Sequence, residues 1–177
     1  MTSISFACRV AAGLIAGLFL TTAALAALDD KAGWQYRVEQ GDGSDHQYLV
    51  YVGRDDGPRM LAFTCERDND TFSIAAEDLS ELVGPRARAT MSLSSGAANF
   101  TLPGIVEKSP DTGALGFRAE IPLSNGGFQQ LVQTIPPLLM SGRPIAITFG
   151  TRTRELPPIK GLLNPAKRFL RECLAPQ

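Results

Sequence analysis

Ser44, Asp45 and His46 stand side by side in the polar stretch Gly41-Asp42-Gly43-Ser44-Asp45-His46. They are the residue types of a nucleophile, an orienting carboxylate and a general base. Such a triad is assembled from separate elements, and neighbours along one loop do not meet its geometry. The stretch therefore reads as a solvated hairpin turn, with His46, the only histidine, carrying no catalytic role. Glu66, Asp68, Asn69 and Asp70 are oxygen ligands of the kind calcium takes. The glycine at the sixth loop position and the distal Glu are missing, so this stretch reads as a turn and no metal is expected. Glu77, Asp78 and Glu81 are carboxylates of the type a glycosidase pairs across a glycosidic bond. They lie in a polar, helix-compatible segment in which nothing singles them out. GxSxG, GxGxxG, Walker and HExxH patterns are all missing, so the sequence calls for no nucleotide, flavin or metal cofactor.

Arg86 and Arg88 alternate with Ala87 and Ala89, which places both guanidinium groups on one face of a strand. Such a face ordinarily points to solvent. Its functional reading is a small anionic site or a recognition surface for a protein partner, because Arg serves both well.

Cysteine usage depends on where the chain goes. Arg9 is the only charge before Asp29, and the apolar run from Val10 to Leu20 leads to Ala24-Leu25-Ala26. A positive start, a short apolar core and a small-residue site describe a secretory signal peptide over residues 1–26, leaving a β-rich domain over 27–177. A retained anchor is the alternative, since the apolar stretch to Leu28 is just long enough to span a bilayer. Cys8 precedes the apolar core and so is not placed for lipidation. No later segment reaches spanning length. Cys65 and Cys173 then remain, and a lone pair in an oxidising compartment tends to bridge. Periplasmic or secreted location is the corresponding expectation.

Seventeen Lys and Arg against eighteen Asp and Glu give a net charge of −1, which argues against a nucleic-acid partner. With 44% hydrophobic residues, the chain has globular composition.

The elements that must position these residues read mostly as strands. Apolar residues alternate in Trp34-Tyr36-Val38, in Tyr48-Val50-Val52 with Leu49 and Tyr51 opposite, in Leu61-Phe63-Cys65 and in Phe72-Ile74. The pattern continues in Ala89-Met91-Leu93, Ala98-Phe100-Leu102, Leu115-Phe117-Ala119-Ile121 and Ile145-Ile147-Phe149. Glycine- and Asp-rich turns separate them. The expected fold is mainly β, an antiparallel sandwich or curled barrel with one internal helix and a C-terminal helix. The internal helix lies near Phe128 to Met140, and Pro136-Pro137 is expected to end or kink it near Ile135. The terminal helix carries an apolar stripe through Leu162, Leu163, Ala166, Phe169, Leu170, Cys173 and Leu174. Asn164-Pro165 marks its start, with Leu162 as an earlier alternative.

The early Trp34, the strand ending Leu61-Ala62-Phe63-Thr64-Cys65, the Thr71–Ile74 strand, the basic Arg86-Ala87-Arg88 segment and the end from Gly161-Leu162-Leu163 through Phe169 to Cys173 together resemble a known group. They are similar to small bacterial periplasmic proteins of the type VI secretion-associated VasI/TagO-like type, which carry a signal, a strand-borne Cys and a terminal-helix Cys. The Asn125–Met140 segment lies outside the resemblance. The likeness implies a periplasmic accessory or binding role, an envelope or secretion-system protein as partner, and no catalytic residues to carry over. The opposing function class is a small secreted hydrolase of envelope polymers.

Overall fold

The computed structural model describes residues 32–41, 44–54, 57, 59–84, 88–109, 113–124, 126–160 and 164–174. Residues 1–26, where a signal peptide is expected, with Cys8 and Arg9, Arg86 with Ala87, and Leu162 with Leu163 lie outside the described residues.

Among the described residues, nine strands form one antiparallel sheet that curls into a half-barrel, so the curled form and not the two-sheet sandwich is the observed one. β1 (Gly33–Gly41), β2 (Ser44–Val52), β3 (Arg59–Glu66) and β4 (Thr71–Ala76) make a meander. The chain then crosses to β5 (Ala89–Ser95) and returns through β6 (Ala98–Lys108) and β7 (Leu115–Pro122), so that β7 lies beside β4. β8 (Ile145–Phe149) and β9 (Arg152–Leu156) extend the sheet past β5. The order is β1-β2-β3-β4-β7-β6-β5-β8-β9.

The curl is concentrated in β6. Its first part, to Gly104, pairs with β5, and from Ile105 it pairs with β7. At the changeover a Cβ on residue 104 would overlap the Phe117 ring and the Arg118 carbonyl oxygen. Only glycine lets the two strands approach so closely.

Period-two alternation decides which side chains the curl encloses. Leu61, Phe63, Cys65, Phe72, Ile74, Met91, Leu93, Phe117 and Ile147 point into the concave face and are buried. Two helices fill that concavity. α1 (Gly127–Met140) buries Leu131, Ile135, Leu138 and Leu139. It runs past Pro136 and Pro137 to Met140 instead of ending at Ile135. The prolines forgo their backbone bonds to the previous turn, but their fixed φ suits a helix, and burial of Leu138 and Leu139 holds the last turn. α2 (Pro165–Leu174) buries Ala166, Phe169, Cys173 and Leu174.

β9 is not visible as an alternation in Arg152-Thr153-Arg154-Glu155-Leu156. It forms because Gly150, with φ +61°, turns the chain back on β8, and because Thr148 and Thr153 hydrogen-bond across the pair at 2.9 Å. Arg152 donates to the Glu81 carbonyl and Arg154 pairs with its carboxylate at 3.7 Å, which fastens the connection that follows β4. That connection buries Leu79, Leu82 and Val83 beneath the sheet end. Among the described residues, no helix is long and apolar enough to cross a membrane.

Candidate functional site

Cys65 on β3 and Cys173 on α2 are brought to disulfide distance, with Cα atoms 5.9 Å apart, and both are buried. The chain between them spans 108 positions. Packing places them together: Cys65 shares the concave face with Phe63, while Phe169 of α2 lies on Phe72 with ring centroids 6.1 Å apart. The Arg67 guanidinium donates to the Cys173 carbonyl at 2.9 Å, which satisfies an end-of-helix acceptor and meets the negative end of the helix dipole. At the other end, Asn164 Oδ1 accepts from the Ala166 and Lys167 backbone N–H groups at 3.0 and 3.4 Å. Asn164 is thus the N-cap, and Pro165 opens the helix.

This fastening sets the outward face of α2 against β1. Trp34 and Tyr36 of β1 and Lys167, Arg168 and Arg171 of α2 line a groove of about 570 Å³. The Arg168 guanidinium lies over the Tyr36 ring, 4.7 Å from its centroid. Trp34 donates its indole N–H to the Pro157 carbonyl at 2.8 Å and leans on Tyr51, with centroids 5.3 Å apart. Burial raises the Tyr36 pKa, and the Arg168 charge draws it partly back. Arg171 is held by Glu172 through two hydrogen bonds of 2.9 and 2.7 Å. The groove therefore joins two anchored aromatic rings to a cationic helix face.

A larger groove, about 830 Å³, opens where β4 and β6 end and β7 begins. Its charges are mixed: Arg54, Lys108 and Arg118 stand among Glu77, Asp78 and Glu107. Glu77 accepts the Arg59 backbone N–H at 3.2 Å, and Arg118 pairs with Glu120 at 2.7 Å. Asp78 sits in the left-handed region at φ +55°, a conformation Asp tolerates better than most residues. A balanced rim does not select one sign of ligand. The β1–α2 groove does.

His46 does not lie in a turn. It belongs to β2, opposite Glu39 on β1 and Glu66 on β3, and its Nδ1 lies 3.5 Å from Glu66 Oε1 with both side chains only 24% exposed. The hairpin is tighter than the glycine-rich sequence implies, and the ladder already includes Ser44. On the same convex face, Tyr48 carries Arg59 6.0 Å from its ring centroid, and Arg59 pairs with Glu39 at 3.5 Å. Burial first, then the Glu39 carboxylate, raises the Tyr48 pKa. Strand pairing, not sequence proximity, assembles this cluster. It faces away from the concave face that carries Trp34 and Tyr36.

Glu66, Asp68 and Asp70 do not converge. Asn69 and Asp70 close a tight turn through backbone bonds to Glu66 and Arg67, and the Asn69 side chain donates to Glu66 at 3.1 Å. Among the described residues there is no group of three or more potential metal ligands. Arg88 is exposed and precedes β5, which begins at Ala89, so it is not on the strand face where alternation put it. Arg86 lies outside the described residues. The residues missed in the sequence are Tyr36, Lys167 and Arg168. The signal was present as a basic stripe opposite the apolar face of the terminal helix, but its partner strand is more than a hundred positions away.

The chain matches no protein-family model, and neither the curated proteins nor the solved structures contain a match.

Proposed function

We propose that the chain is an exported accessory or binding protein of the cell envelope, working by recognition of a protein partner and not by chemical turnover. The observation that carries this reading is the β1–α2 groove, whose side chains are aromatic rings and cations. These hold a ligand by stacking and charge, whereas turnover needs a nucleophile within reach of a base. The interior is filled by sheet and helix side chains, so a partner must be met on the surface. The buried Cys65–Cys173 pair supports export, since a bridge persists in an oxidising compartment. Periplasmic location, the signal over residues 1–26 and kinship with the VasI/TagO-like proteins belong to the same proposal.

Crosslinking capture from envelope extract, repeated with purified candidates, tests it. A stoichiometric protein partner that rebinds in purified form is the expected result. Turnover of peptidoglycan or of an ester panel by the purified protein would overturn it in favour of a hydrolase.

A further inference from the structure

We infer that the groove between β1 and α2 binds an extended acidic segment of a protein partner. The inference rests on the recognition role proposed above and names the kind of segment recognised. Charge is the first ground. Lys167, Arg168 and Arg171 line one wall, and Glu172 neutralises only one of them. The chain as a whole carries a net charge of −1, so this cationic face stands out from its surroundings.

Spacing is the second. Lys167 and Arg171 are one helical turn apart, about 5–6 Å between Cβ atoms. Trp34 and Tyr36 alternate along β1, about 6.6 Å apart. An extended peptide repeats its same-side residues at that same interval. Carboxylates at alternate positions therefore meet the helix cations while the backbone runs along β1 past Trp34 and the Arg168–Tyr36 stack.

Pre-organisation is the third. Arg168 is already placed by Tyr36, and Trp34 by Pro157 and Tyr51. Side chains held before binding lose little further freedom when the ligand arrives. A lone phosphate would meet the cations but leave the rings uncovered. A bilayer surface is too broad for a cleft walled by a strand and a helix.

Trp34 is the single tryptophan in the chain, so its fluorescence reports the groove alone. The purified oxidised protein is titrated with a blocked octapeptide alternating Glu and Thr, with its Lys-Thr counterpart, with inorganic phosphate and with anionic phosphatidylglycerol vesicles. The acidic peptide is expected to give a saturable change that weakens as salt rises. Lys167→Glu with Arg171→Glu is expected to weaken binding about tenfold, from two partly exposed charge contacts. Both residues are exposed, so this variant keeps the fold, which circular dichroism verifies.

Equal binding of the Lys-Thr peptide, equal response to phosphate or vesicles, or no saturable response in both fluorescence and calorimetry would overturn the inference. Capture of the same partner by wild type and by the double variant would overturn the groove assignment but leave the recognition role standing. Failure of the wild type to capture any partner would remove the recognition role itself.

Discussion

At the scale of single residues, the protonation of two tyrosines reports their surroundings. Tyr48 is shifted upward by burial and by Glu39, and Tyr36 by burial, against the ordinary value of 10.0. A raised folded-state value stabilises the fold below the unfolded value, and that contribution is lost as pH climbs through the folded one. Ultraviolet titration should show Tyr36 and Tyr48 ionising late. Tyr48→Phe should remove one late step and slow the loss of stability at alkaline pH. Gly104 gives a steric prediction. Gly104→Ala drives a methyl into Phe117 and into a backbone oxygen that cannot swing aside, which should cost about 1–3 kcal/mol in chemical denaturation. A neutral result would show that the changeover in β6 tolerates a wider spacing. The isolation of His46 in the sequence said nothing of its neighbour, and its pairing with Glu66 was not legible. That contact comes from the register of β2 on β3, which no single stretch of sequence states.

Among the elements, α2 is the one whose attachment matters most for the groove. Its apolar stripe alone buries Phe169 and Leu174, and each large side chain is worth about 1.5–3 kcal/mol. A Cys65–Cys173 bridge adds the constraint of a loop about a hundred residues long, about 4–5 kcal/mol in the chain-entropy model. Reduction, or Cys65→Ser, should therefore lower the melting temperature while α2 stays docked. Two free thiols in the intact mass of the oxidised protein would show that packing alone holds the helix. Asn164→Ala removes the cap and should cost about 1 kcal/mol. The cap was readable from Asn164-Pro165 because capping is local. The apolar period of α1 was readable to Met140, but not that the helix continues through Pro136 and Pro137, because tertiary burial of Leu138 and Leu139 outweighs the local effect of two prolines.

For the molecule as a whole, the curled sheet separates two chemistries. The concave side is closed by helices and ends in the cationic groove, while the convex side carries the His46–Glu66 and Glu39–Arg59 pairs. His46→Gln should consequently leave acidic-peptide affinity within about twofold, since additivity holds for sites without shared partners. A larger change would show that the two faces are coupled. The proposed export also concerns the whole chain and makes its own prediction. N-terminal sequencing of the envelope form should begin near Ala27, and recovery of Met1 on a membrane-bound product would contradict cleavage.

The amino-acid sequence by itself determined the alternating strands, the two helices, the Asn164 cap and the pairing logic of two cysteines, because period, capping and parity are properties of short stretches or of counts. Only the tertiary structure decided that the strands close into one curled sheet, that β9 exists, that His46 meets Glu66, and that Trp34 and Tyr36 face Lys167 and Arg168. Each of these is a contact between segments distant in the chain. Its free energy belongs to the packed pair, so neither segment displays it alone.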